Sequence, residues 1–326
     1  MNKIQLAGQA ITSTNYTTTR LFNFSPEMLQ AAADNFLRAG MNEIEIPVGF
    51  LDPERKCPDT GIDAETVEQT KSLLPRETRV IGSYISGTDI EKSQRDIDHM
   101  VTHFPTMKYV MLHPPGPKDA GPEVAQSTVA VWAELARYAA DRREGFQCCV
   151  YNHFDTSCET ADQVRAYLDL VGEAGVPSLR WGPDTGHCHG MRDRYLAVLD
   201  EYASLIGNHF HIKASIPAFD QMHGGDQYNA ERDIWGNKAE RGRGLYGGFV
   251  NCADPEIETP FKEVFAIMRE KARPTDGVIT GAMEIDIPRQ HPRLEAMCSA
   301  LYMKQVHGVE TGLALSCDEI VRRVFA

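Results

Sequence analysis

Short β-like runs alternate with longer amphipathic stretches almost from end to end, and that rhythm confines the chain to architectures built of β–α units. Ile4 to Ala10 reads as a first strand, and Ser25 to Gly40 as a helix with Ser25 at its N-cap and Gly40 as its stop. Further strands are expected over Glu43 to Val48, Arg79 to Tyr84, Lys108 to His113, Cys148 to His153, Ser178 to Asp184, His209 to Ala214 and Val278 to Ile287. Further helices are expected over Asp63 to Leu74, Asp89 to Phe104, Pro122 to Arg143, Ala161 to Gly175, Arg192 to Ile206 and Arg293 to Val306. About eight such units in 326 residues predict a (β/α)8 barrel, read as a single domain over 1–326. A doubly wound open sheet is the competitor, but the first strand-to-helix link carries no Gly-x-Gly-x-x-Gly run. The rhythm breaks over Ser215 to Glu256, which is rich in Gly, Asn, Asp and Arg. Following a seventh strand, that segment would lie on the catalytic face, as a partly ordered lid or substrate-binding loop; a mobile insertion or a contact between copies of a homo-oligomer is the alternative.

Polar clusters close four of the apolar runs: Tyr151-Asn152-His153, Asp184-Thr185-Gly186-His187, His209-Phe210-His211-Ile212-Lys213 and Glu284-Ile285-Asp286. Strand alternation sorts them. Glu43 and Glu45 share one side of their strand and Ile44, Ile46 and Val48 the other. Apolar residues face the outer helices of a barrel, so the acidic side should face the axis. The same parity pairs Tyr151 with His153, His209 with His211, and Glu284 with Asp286. Charges that converge inside a barrel are costly unless paired or bound to a cation. Asp184, His211 and Glu284 form a mixed oxygen and nitrogen set that suits Mn²⁺, Mg²⁺, Co²⁺ or Zn²⁺. A lone buried histidine is more often a hydrogen-bonded core residue; three candidates at three successive strand ends reverse that reading. His113 ends its strand beside Pro114-Pro115-Gly116, where a capped structural histidine is the plain reading. Glu45 could bind a substrate hydroxyl or assist proton transfer, and Lys213 could pair with a carboxylate of protein or substrate. His187 and His189 are close enough in sequence to suggest metal ligands.

Composition excludes some partners. A formal charge of -13 repels DNA phosphates and anionic membranes. The basic run from Arg232 to Arg243 is broken by Asp233 and Glu240. The 8 cysteines follow no metal-finger or disulfide spacing, and Cys148-Cys149 lies in an apolar run, which fits reduced thiols and a cytoplasmic setting. No secretory leader is visible at the N-terminus, and no window has the apolar length to span a bilayer.

These motifs, in this order, resemble the xylose isomerase-like TIM-barrel superfamily, which includes sugar isomerases and epimerases, inosose dehydratase-type lyases and endonuclease IV. Asp184-Thr185-Gly186-His187 looks like the superfamily's Asp-Thr-Gly-His segment, which implies a metal-ligand place for Asp184 and a substrate-contact place for His187. His211-Ile212-Lys213 looks like its His-hydrophobic-Lys segment, with His211 as ligand, and Glu284 matches its final-strand glutamate. The resemblance also implies a substrate-facing place for His113 at the end of the fourth strand. Met283-Glu284-Ile285-Asp286, followed by His291-Pro292-Arg293-Leu294-Glu295, is similar to the inosose dehydratase-like branch. One departure is serious: epimerases of this superfamily carry Glu-Asn-His at the fifth strand, where this chain has Tyr151-Asn152-His153. A phenol has a reference pKa of about 10, against about 4.3 for Glu, and is the poorer ligand and base.

The resemblance implies a divalent-metal-dependent isomerase or epimerase acting on a sugar or keto-sugar through an enediolate-type intermediate. An inosose dehydratase-like lyase, eliminating water from a keto-polyol, is the alternative. The catalytic candidates are His153, Glu284 and Tyr151. From other classes, an endonuclease IV-like phosphodiesterase conflicts with the acidic charge, and a non-catalytic barrel with a decayed site is kept open by Tyr151.

Overall fold

The computed structural model describes residues 1–14, 25–47, 51, 64–154, 156–215, 249–255, 257–285 and 291–326, without the side chains of residues 13, 14, 64, 189, 249 and 250. Eight strands alternate with helices: β1 Lys3–Gln9, α1 Pro26–Arg38, β2 Glu43–Glu45, α2 Ala64–Leu73, β3 Arg79–Ile85, α3 Ile90–His103, β4 Tyr109–Leu112, α4 Pro122–Arg142, β5 Gln147–Val150, α5 Ala161–Ala174, β6 Leu179–Trp181, α6 Tyr195–Tyr202, β7 His209–Ile212, α7 Phe261–Lys271, β8 Val278–Met283 and α8 Pro292–His307. A further helix, α9 Cys317–Phe325, follows. Strand order around the sheet is β6-β5-β4-β3-β2-β1-β8-β7, and each of these pairings is parallel. Isolated parallel bridges, Trp181 to Ile206 and Asp184 to His211, join the two ends and close the ring. The result is the expected (β/α)8 barrel.

Side-chain alternation divides the interior into two layers. Val110, Leu112, Cys148, Val150, Phe210 and Ile212 point outward into the core shared with the helices. Ala7, Ile81, Tyr109, Met111, Cys149 and Tyr151 fill the axis. Two glycines make the bulkier packing sterically allowed. A Cβ on Gly8 would lie 2.2 Å from the Phe36 ring of α1, and one on Gly82 would lie 2.1 Å from the Tyr109 ring on the axis. Helix signals are local: Ser25 accepts the Met28 amide, Pro26 opens α1, and Leu29, Ala32, Ala33 and Phe36 form its buried stripe.

The strands stop sooner than their apolar runs. β5 ends at Val150, β6 at Trp181 and β8 at Met283, so the polar residues that follow stand on the tips beyond the ladder. The helix expected over Arg192 to Ile206 divides into a 3-10 stretch His187–Arg194, then α6, then a 3-10 turn Ala203–Leu205. Arg192, at φ 53° and ψ -133°, breaks helical geometry there. Helices α7 and α9 fall where the periodicity predicted none. Each is short: α7 buries Phe261, Val264, Phe265 and Met268, and α9 only Ile320 and Val324. Of the expected lid segment, residues 216–248 and 256 lie outside the described residues, as does Asp286. Its bases are joined, since Ala214–Ser215 pairs antiparallel with Phe249–Val250. No helix among the described residues is long and apolar enough to cross a membrane, and the seven described cysteines are free thiols.

Candidate active site

The predicted site residues all stand at the C-terminal end of the barrel. Glu45 ends β2, His113 follows β4, Tyr151 and His153 follow β5, and Asp184 and His187 follow β6. His211 lies within β7, Lys213 just past it, and Glu284 just past β8. Parallel pairing carries these tips to one level, and the Asp184–His211 bridge joins two of them directly.

His211 is the hub, and its two nitrogens face different partners. Nε2 lies 3.0 Å from Glu45 Oε1 in hydrogen-bond alignment. A carboxylate only accepts, so Nε2 carries the proton of that bond. Nδ1 lies 2.9 Å from Glu284 Oε2 and 3.5 Å from Asp184 Oδ2. Glu284 Oε2 is buried and receives no aligned hydrogen bond. Tyr151 donates its hydroxyl to Asp184 Oδ2 at 2.9 Å and stands 3.3 Å from His211 Nδ1. The other Asp184 oxygen, Oδ1, accepts the amides of Gly186 and His187 at 2.8 and 2.9 Å, which leaves Oδ2 turned to the cluster. Lys213 Nζ reaches Glu284 Oε1 and His187 Nε2, each at 3.1 Å, and Asp184 Oδ2 at 3.5 Å.

This arrangement fits a divalent cation. Glu45, Asp184, His211, Lys213 and Glu284 are all buried. Burial would raise the Glu45 carboxyl, but His211 and His209 outweigh it and hold it below the usual carboxylate range. Burial also opposes ionisation of Asp184 and Glu284; His187, Lys213 and His211 keep Asp184 well below the usual range, and Lys213 and His211 keep Glu284 below it. Three carboxylates against one lysine leave an excess of negative charge. Burial would depress His211, yet Glu45, Asp184 and Glu284 hold its pKa well above the ordinary imidazole value, so it offsets that excess by taking a second proton. A divalent cation between Nδ1, Asp184 Oδ2 and Glu284 Oε2 could displace that proton and bring the cluster to neutrality.

Beside the carboxylates stands a wall of imidazoles. His153 and His187 rings lie 4.0 Å apart, and His153 and His113 rings 4.8 Å apart. His153 Nδ1 lies 2.6 Å from the Phe154 carbonyl oxygen and His113 Nδ1 3.1 Å from that of Pro114. A carbonyl only accepts, so both rings carry their proton on Nδ1 and a lone pair on Nε2. Burial depresses the pKa of both, most strongly for His153, where His113 and Lys213 add to it.

Glu45, expected to bind a substrate hydroxyl or assist proton transfer, is turned to two histidines. It has no exposed surface, and its oxygens face His211 at 3.0 Å and His209 at 3.1 Å. The His189 side chain lies outside the described residues. Two contributors had no role assigned from sequence pattern. His209 stacks on Tyr109 with centroids 3.8 Å apart and supports Glu45 from below; its i, i+2 spacing to His211 was the available signal. Asn152 Oδ1 accepts the Asp184 amide at 3.1 Å and the Trp181 indole N–H at 3.3 Å, tying the tip of β5 to that of β6. A cavity of about 350 Å³, lined by Glu43, Lys108 and Asn208 among others, lies at the opposite end of the barrel and holds none of these residues.

No family model matches the chain. An inosose dehydratase from Yersinia enterocolitica is 32% identical over 83 residues, which is 24% of this chain and 26% of that protein. The match therefore spans about a quarter of the relative's length. Among solved structures, D-allulose 3-epimerase from a Methylomonas species, in complex with D-allulose, aligns over 94% of this chain and 98% of its own, at a TM-score of 0.58 and 19% identity. The IOLI protein, solved with a bound zinc atom, aligns over 93% of this chain and 97% of its own, at a TM-score of 0.60 and 14% identity. With a closed parallel barrel, its polar tips gathered at the C-terminal end and these neighbours aligned along nearly its whole length, the chain has the (β/α)8 TIM-barrel fold that they share.

Proposed function

We propose that this chain is a divalent-metal-dependent enzyme that removes a proton next to the carbonyl of a sugar or keto-polyol, isomerising or epimerising it through an enediolate-type intermediate. The observation that carries the reading is the contact of His211 Nδ1 with Glu284 Oε2, 2.9 Å apart without hydrogen-bond alignment and beside Asp184. Three donor atoms this close, buried together, could share a cation in place of the second His211 proton. Asp184, His211 and Glu284 would hold the ion, which when bound would polarise the carbonyl and stabilise negative charge on its oxygen. Glu45 orients His211 by accepting from Nε2, which turns Nδ1 to the cation. His153 is the base: its Nε2 lone pair accepts the carbon-bound proton, while its Nδ1–H stays on the Phe154 carbonyl. His113 and His187 line the same wall and bind substrate hydroxyls. Lys213, between Glu284 and His187, holds their relative position.

Loss of water from a keto-polyol is the second reading, and Tyr151 favours it. The two-carboxylate epimerase scheme needs an acidic base on β5, and the phenol there is turned to Asp184. The sequence match to an inosose dehydratase points the same way.

The test is proton NMR in D₂O on metal-loaded protein with a panel of keto-sugars and inososes. Exchange of the proton beside the carbonyl, dependent on added metal, is expected. Isomerisation then retains the substrate formula, whereas dehydration yields an unsaturated ketone. Glu284→Gln should lose both bound metal, by elemental analysis, and exchange. Metal content and turnover equal to wild type in that variant would refute the assignment.

A further inference from the structure

We infer that the phenolic oxygen of Tyr151 is a fourth protein donor to the cation, a role that rests on the metal-site reading above. Two donors sharing one ion at about 2.0–2.2 Å, with bond angles between octahedral and tetrahedral, stand about 2.8–3.6 Å apart. Asp184 Oδ2, His211 Nδ1 and Glu284 Oε2 meet this spacing at 3.5 and 2.9 Å. Tyr151 OH meets it as well, 2.9 Å from Asp184 Oδ2 and 3.3 Å from His211 Nδ1. The oxygen is not there by chance of rotation. Tyr151 is 6% exposed, and its ring packs edge-on against His211 and His187, with centroids 5.0 and 5.7 Å away.

The phenolic hydrogen points at the Asp184 oxygen that faces the cation. With a cation held by these residues, the O–H bond would break, the proton would pass to solvent and the phenolate oxygen would serve as the donor in its place. A phenolate brings the same single negative charge that a glutamate would bring at this strand tip, but as one rigid donor atom with no second oxygen. Tyr151 thereby adds a fourth donor while supplying no carboxylate base, which leaves a position for substrate and proton transfer to His153. The donor set becomes three oxygens and one nitrogen, a hard set.

The ligand role can be read without turnover. Wild-type protein is stripped with a chelator and given one equivalent of ferric ion as a spectroscopic probe. A visible phenolate-to-iron charge-transfer band is expected, absent from Tyr151→Phe and from His211→Gln. In a parallel titration with Zn²⁺, wild type should release one more proton per chain than Tyr151→Phe and retain the ion at least about 10-fold more tightly. Tyr151→Glu, as a second variant, should retain Zn²⁺ without the band, and circular dichroism checks that each variant is folded. If wild type and Tyr151→Phe bind one Zn²⁺ per chain with equal proton release, and neither shows the band with iron, Tyr151 only donates a hydrogen bond to Asp184 and the inference fails while the metal site stands. If wild type binds no ion stoichiometrically, the underlying metal reading fails with it.

Discussion

A single imidazole carries much of the proposed chemistry. His153 has its Nδ1–H committed to a backbone carbonyl 2.6 Å away and its pKa pushed well down by burial, so it is a neutral base at neutral pH. General bases contribute about 10²–10⁴-fold. His153→Ala should therefore lower kcat by about that factor, with metal retention unchanged. Tyr151→Phe should show the reverse pattern, a metal-binding defect with a smaller loss at saturating metal. Near-normal turnover of His153→Ala alongside a large loss for Tyr151→Phe at saturating metal would transfer the base role to the phenol. The sequence displayed His153 plainly, beside Asn152 at a strand end. It did not display which nitrogen of His153 is protonated, because that depends on the Phe154 carbonyl, whose direction is set by the turn after β5.

At the scale of elements, the barrel wall and the site are coupled through close packing. Gly82 on β3 leaves room for the Tyr109 ring, which in turn stacks on His209 beneath Glu45. A methyl group there would sit 2.1 Å from a ring that is fully buried and has nowhere to move. Gly82→Ala should lose about 1–3 kcal/mol in urea unfolding, and displacement of His209 and Glu45 should weaken metal retention as well. Gly172, within α5, offers the contrast: a Cβ added there would meet no heavy atom within 4 Å. Gly172→Ala should gain about 0.5–1 kcal/mol from helix propensity and leave the site unchanged. A destabilised Gly172→Ala, or a neutral Gly82→Ala, would show that the packing account is wrong. Helix starts were legible because their signals are local. Ser25, Asp89 and Thr160 each cap a helix expected to start there, whereas the start of α9 at Ser316 was missed. Strand ends were not legible, because a ladder stops where its neighbours diverge.

The whole molecule concentrates histidines that fold neutral. Burial lowers His113, His153 and His187, and it lowers His209 to about 4 despite Glu45 beside it. A group whose folded pKa is depressed contributes stability above its unfolded pKa and loses it as pH falls, since the unfolded chain takes the proton first. For histidine that loss begins near pH 6.5, and His209 alone accounts for ~3 kcal/mol by about pH 4. His211, with a raised folded pKa, is at full contribution throughout that interval and does not offset the trend. The depressed carboxylates Glu45, Asp184 and Glu284 begin to lose their contribution only below about pH 4. In chelator, the urea midpoint should therefore fall in two stages, first between about pH 6.5 and 4.5 and then more steeply below. A midpoint flat from pH 7 to 5 would contradict the neutral-histidine assignment. What the sequence determined by itself was periodic and local: the β–α alternation that calls for a barrel, the strand parity that turns His211 and Glu45 inward, and the caps that start the helices. What only the tertiary structure decided was which inward groups share a level. Glu45 on β2 meets His211 on β7, with β1 and β8 between them in the sheet. Tyr151 on the tip of β5 reaches Asp184 on the tip of β6. Those meetings follow from the stagger and closure of the ring, a property of all eight strands together that no local spacing encodes.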